Sequence, residues 1–227
     1  GPKIKVIGVF SDNYFSTTGA KGARKDKDGN LDEDGSTDGM SFTLSELIDG
    51  TTVKNDKVDL DFDLIIKNNT FIADTQDLAG TNEKPNKAEG IKITAGEGLD
   101  SDIVGDIKLN ASILNNSVKT RAGPGFKIAL LEKCKNINLT SEINILDNNF
   151  EKYNNANEAG ELYTKLKDIG QVVLLEDGEG NCAISGNITI DRNNFVSYNN
   201  SNPIVSVTNE GSSEDIENLS LGLHSNT

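Results

Sequence analysis

The chain has 227 residues, with 36 acidic against 22 basic side chains, a net charge of −14 and a pI near 4.5. That balance makes nucleic acid and anionic membrane surfaces poor partners and leaves divalent cations as reasonable ones. The length is enough to bury one continuous core, no run of 18 apolar residues offers a membrane-inserted helix, and no stretch reads as a signal peptide.

Gly1-Pro2 reads as the scar of a cleaved tag, and residues 3–227 are expected to form a single domain, a segment of a longer rod. Residues 3–15 carry the first copy of a pattern clearest in 184–195. Apolar residues alternate up to Ile190, Asn193 follows three positions later, and Phe195 two after that, which predicts a half-buried strand running into a tight corner. The first copy is Phe10, Asn13, Phe15.

Residues 16–57 form the longest excursion. Its acidic, glycine-bearing run offers Asp26, Asp28, Asn30, Asp32, Asp34 and Asp38 as candidate Ca2+ ligands, because closely spaced carboxylates and a sharp turn suit a hard cation. Against an EF-hand loop, Asn30, Asp32, Asp34 and Gly35 fit positions one, three, five and six, but Ser41 stands where the bidentate Glu belongs, so a solvated acidic loop remains the competing reading.

Residues 58–71 repeat the pattern through Ile66, Asn69 and Phe71, and 72–103 read as a second, polar excursion. Further copies fall at Ile113/Asn116/Val118, Ile145/Asn148/Phe150, Ile190/Asn193/Phe195 and Leu223/Asn226. Between them, Phe126 to Leu131, Gln171 to Leu175 and Pro203 to Val207 predict another strand in each coil, and 158–169 place Leu162, Leu166 and Ile169 at helical spacing, predicting one short helix. Cys134 and Cys182 lie 11 and 8 residues before their anchors, in different columns, which favours two buried free thiols over a disulfide and leaves the compartment open.

A fixed motif at variable intervals is the mark of a solenoid with loop insertions. Side chains two and six positions before each anchor share its face and should point inward, with Glu217 a mismatch in the last coil. Asn13, Asn69, Asn116, Asn148, Asn193 and Asn226 are expected at left-handed corners, stacked as a hydrogen-bonded ladder.

These strand-then-Asn-x-Phe units, such as Ile66-Lys67-Asn68-Asn69-Thr70-Phe71, resemble the right-handed parallel β-helix superfamily of pectate lyases, phage tailspikes and autotransporter passengers. The resemblance implies an all-β rod, six coils on the order of 29 Å long at strand spacing. It also implies a secreted, cell-surface or virion location, a monomer if passenger-like and a homotrimer if tailspike-like.

For chemistry, the outward column three residues before each anchor holds Asp63 and Glu142, two coils apart or roughly 9.6 Å, near the upper end for an inverting glycosidase pair. Asp61, Lys108, Asn110, Asn187 and Arg121 are candidate ligand-binding residues around them. Against turnover, the chain lacks Trp, has four Tyr, and offers no His-based triad or zinc set. The expectation is a non-catalytic module of an adhesin or phage tail protein that binds a glycan or protein receptor; a polysaccharide lyase or hydrolase using Asp63 and Glu142 is the alternative.

Overall fold

Alternating apolar residues in one strand after another build a coil that climbs along a single axis. The computed structural model describes residues 3–19, 24–25, 31–32, 38–44, 58–75, 89–95, 105–120, 123–131, 137–152, 169–174, 182–197, 205–209 and 216–227. The first sheet contains, in spatial order, β1 (Lys3–Ser11), β6 (Val58–Lys67), β9 (Gly105–Leu114), β12 (Ile137–Leu146), β15 (Ala183–Asp191) and β18 (Ile216–His224). The second holds β2 (Tyr14–Gly19), β7 (Thr70–Thr75), β10 (Ser117–Thr120), β13 (Asn149–Lys152) and β16 (Asn194–Ser197). The third holds β5 (Met40–Thr43), β8 (Ile91–Ala95), β11 (Phe126–Leu130), β14 (Gly170–Leu174) and β17 (Val205–Asn209). All pairings in these three sheets are parallel, and a short antiparallel ribbon joins β3 (Arg24–Lys25) to β4 (Leu31–Asp32). The fold is a right-handed parallel β-helix.

The corner between the first and second sheets is the most regular part of the coil. In each turn the residue before the ladder asparagine takes the left-handed conformation: Asp12, Asn68, Asn115, Asp147, Arg192 and Ser225, with φ between 43° and 61°. This corrects the expectation that the ladder asparagines themselves occupy that region. Asp or Asn stands at four of the six positions, the non-glycine types that tolerate it best.

Freed from that duty, the asparagines form the ladder. The Oδ1 of Asn116 accepts from the Asn69 N–H (2.9 Å) and Nδ2 (3.1 Å), while its own Nδ2 donates to Ile66 O (2.9 Å) and Asn148 Oδ1 (3.0 Å). The same bonds link Asn13 to Asn69, Asn148 to Asn193 and Asn193 to Asn226. Asn69, Asn116, Asn148 and Asn193 are buried, so satisfying both ends of each amide is what makes their burial tolerable.

Inside, the inward columns pack as the alternation requires: Leu60, Ile107, Leu139 and Ile184, then Leu64, Ala111, Ile143 and Ile188, then Ile66, Ile113, Ile145 and Ile190, all buried in one cluster. The column two residues after each Asn adds stacked rings, Phe15 on Phe71 at 5.1 Å and Phe150 on Phe195 at 5.5 Å, with Phe126 tilted against Phe150. At the corner before the third sheet, Gly39, Gly90 and Gly125 stack; a Cβ on Gly90 would meet Val118 Cγ1 at 2.2 Å and Gly125 O at 2.5 Å. Only a residue without a side chain lets the backbone pass that close to the aromatic column.

Three further expectations are revised. The register of the last coil differs from the one counted: a bulge gives β18 one extra residue, so that Ile216 rather than Glu217 pairs with Ile184 while Leu219 pairs with Gly186. The polar excursion 72–103 contains β8, whose Ile91, Ile93 and Ala95 are core residues. Cys182 is not a free thiol but disulfide-bonded, and the chain holds one other cysteine, Cys134. Cys182 stands just before β15, outside the strand columns, so counting columns said nothing of its pairing. The helix expected over 158–169 lies outside the described residues except for Ile169, a buried bend before β14.

Candidate functional site

The first sheet has the longest strands and, with six of them, the most outward positions among the described residues. In-register pairing puts Ile7, Asp63, Asn110, Glu142, Asn187 and Ser220 in one column across six strands. A parallel sheet spaces such neighbours by about 4.8 Å, so side chains of one column bond to each other along the rod.

Two carboxylate–amide pairs result. Asn110 Nδ2 donates to Asp63 Oδ1 at 2.6 Å, and Asn187 Nδ2 donates to Glu142 Oε2 at 2.9 Å. In the adjacent column, Lys5 Nζ reaches Asp63 Oδ2 at 2.7 Å and Asp61 Oδ2 at 3.2 Å, and Thr140 and Ser185 hydroxyls meet at 3.3 Å. Lys108 is exposed and pairs across the sheet with Asp61 and Thr140. Further along, Asn138 Nδ2 donates to Asp106 Oδ1 at 3.1 Å.

The charges follow from these contacts. The hydrogen bond from Lys5, then that from Asn110, holds the Asp63 carboxyl below its ordinary range, and the bonds to Asp63 and then Asp61 raise the Lys5 ammonium above its own. Asp63 is therefore held ionised, the opposite of what a general acid needs. Asn110 also stands between Asp63 and Glu142 in the column. The surface is a row of fixed acceptors and donors, suited to binding polar groups.

Asp63, Glu142, Asp61, Lys108, Asn110 and Asn187 thus share one face. Arg121 lies outside the described residues, as do Asp26, Asp28, Asn30 and Asp34; of Asp32 only the backbone is described, in β4. Asp38 sits elsewhere, at the corner entering β5, where Glu89 N–H donates to its Oδ1 at 3.2 Å. Burial first, then the hydrogen bond and charge of the buried Glu89 carboxyl, push Asp38 up to about 7. Among the described residues, no group of three or more His, Cys, Asp or Glu side chains is placed to hold a metal ion.

Sequence reasoning missed Lys5 and the Asp38–Glu89 pair. Lys5 was legible from its place in the column of Asp61; Glu89 was not, because the register of the corner before the third sheet could not be counted through the excursions of unequal length. Compared with family models, curated proteins and solved structures, the chain matches none.

Proposed function

We propose that this chain is a non-catalytic binding module, a β-helix of the right-handed parallel superfamily carried by a secreted or cell-surface adhesin or a phage tail protein. The outer face of the first sheet is the contact surface for a glycan or a protein receptor. The observation that carries this reading is the in-register row of paired carboxylates and amides, Asp63 with Asn110 and Glu142 with Asn187. Fixed donors and acceptors at strand spacing match a chain of sugar hydroxyls or an extended peptide better than they match acid–base chemistry. The disulfide at Cys182 supports a location in an oxidising compartment outside the cytoplasm.

The test uses a printed array of polysaccharides probed with the labelled chain, alongside a sugar-release assay. Binding to an array member without release of product, weakened at least tenfold in the double variant Asn110→Ala/Asn187→Ala with its circular dichroism unchanged, is the expected result. Release of product by the native chain, lost in both Asp63→Asn and Glu142→Gln, would replace this reading with that of a lyase or hydrolase.

A further inference from the structure

We propose that Asn115 is an attachment site for an N-linked glycan. An asparagine followed two positions later by Ser or Thr, with no proline between, is the acceptor pattern for that modification and marks exposed turns of secreted chains. The pattern stands at Asn68, Asn110, Asn115, Asn138, Asn187, Asn199 and Asn218. Alternation of polar residues on the outer face of a strand produces it without any such purpose, so the sequence alone does not choose among the copies. The geometry does.

Five of these side chains lie among the described residues, and four of the five are engaged. Asn110 Nδ2 donates to Asp63 Oδ1 at 2.6 Å, Asn187 Nδ2 to Glu142 Oε2 at 2.9 Å and Asn138 Nδ2 to Asp106 Oδ1 at 3.1 Å, all on the outer face of the first sheet. Asn68 Nδ2 donates to Asp12 Oδ1 at 3.2 Å. A sugar on any of them replaces one of the two amide hydrogens. On the three strand positions it would also stand in a row whose neighbours are only about 4.8 Å away. Asn115 has none of these ties: it is exposed, it turns the corner between β9 and β10 with φ 53°, and its side chain bonds to none of the described residues. The backbone beneath it is fixed, since its N–H donates to Leu146 O at 3.2 Å, Asn116 is held in the ladder, and Ser117 N–H donates to Asn69 O at 2.9 Å. A rigid corner therefore holds out a free amide, and the exposed Ser117 completes the pattern.

The reaction is a group transfer in which this chain is the acceptor and a glycosyltransferase the catalyst. Asn115 Nδ2 forms a bond to the anomeric carbon of a lipid-phosphate-linked oligosaccharide, the bond from that carbon to the phosphate oxygen breaks, the lipid phosphate leaves with the electron pair, and the amide gives up one proton. A glycan at this corner leaves the row of Asp63, Asn110, Glu142 and Asn187 open to a ligand. The inference rests on the reading that the chain is exported, which the disulfide at Cys182 supports.

The experiment maps peptides of the native protein, taken from cells and medium together, by mass before and after enzymatic release of N-glycans in heavy-oxygen water. The redox state of Cys182 is read from the same digest. A free amide at a turn is the better acceptor, so occupancy at Asn115 is expected to be roughly tenfold or more above that at Asn110, Asn138 or Asn187. Ser117→Ala, which leaves the left-handed residue in place and removes a hydroxyl bonded to none of the described residues, is expected to abolish it, and Ser117→Thr to keep it, with circular dichroism unchanged in both. An unmodified Asn115 with Cys182 oxidised would overturn this inference alone; an unmodified Asn115 with Cys182 reduced would remove the exported location as well. Equal occupancy along the strand positions, or a glycan retained in Ser117→Ala, would also overturn it.

Discussion

An asparagine inside a protein is costly unless both ends of its amide are used, and the ladder uses both. Replacing Asn116 with Ala would remove the acceptor of the Asn69 N–H and Nδ2 and the donor to the Ile66 carbonyl, a cost of about 3 to 9 kcal/mol at roughly 1 to 3 for each of the three buried groups. Asp38 works the other way. Its carboxyl, pushed up to about 7 by burial and then by Glu89, against the opposing charge of Lys92, holds a proton in the folded chain that the unfolded chain gives up near the ordinary value of 3.8. Between those values the folded state binds more protons, so this corner contributes stability that is fully present below about pH 4 and lost as pH rises through about 7. Melting temperatures measured across that window are expected to fall less steeply with pH in Glu89→Gln than in the native chain; equal slopes would show that the pair is not coupled. Asp63 and Asp147, held low by Lys5 and Arg192, have the opposite sign and lose their contribution only as pH falls below the usual carboxylate range.

Among the elements, two of the described corners of the coil are built on different principles. The first is closed by hydrogen bonds, the second by the absence of side chains at Gly39, Gly90 and Gly125. Gly90→Ala places a methyl against Val118 and the Gly125 carbonyl, and is expected to destabilise the chain by about 1 to 3 kcal/mol in a denaturant titration; an unchanged midpoint would mean that the corner can open. The asparagine corners were legible in the sequence because strand and corner keep a constant length, so that Ile66/Asn69/Phe71 and Ile190/Asn193/Phe195 superimpose residue by residue. The glycine corners were not, because excursions of different length precede them and Gly39 and Gly90 have no fixed distance to an anchor. For the same reason β5 and β8 escaped notice inside polar stretches, while β11, β14 and β17, preceded by longer apolar runs or a Gly-Pro-Gly turn, were found. The bulge in β18 was invisible for another reason: a single extra residue shifts the face of everything before it, and Glu217 took the place that belongs to Ile216.

For the molecule as a whole, repetition made the architecture legible, and alternation made legible only which side chains share the outer face of the first sheet. Asp61, Asp63, Lys108, Asn110, Glu142 and Asn187 could be put on one outward face by counting from the anchors, and they stand in two in-register columns of the first sheet. What they bond to could not be counted. Asp63 is paired to Lys5 in the neighbouring strand, 58 residues away in sequence, and that partner is the first cause holding its carboxyl below the ordinary range. A solenoid makes all such contacts between coils, so its stability and any ligand it carries depend on one relation: each coil lies in register on the one before it.

Nuclear Overhauser effects between side-chain amides of the uniformly labelled protein test that relation most directly. The Hδ2 protons of Asn69 are predicted to contact those of Asn116 and Asn13, those of Asn148 to contact Asn116 and Asn193, and all to exchange slowly with solvent. Rapidly exchanging amides with no mutual contacts, or strand contacts that run antiparallel, would contradict it.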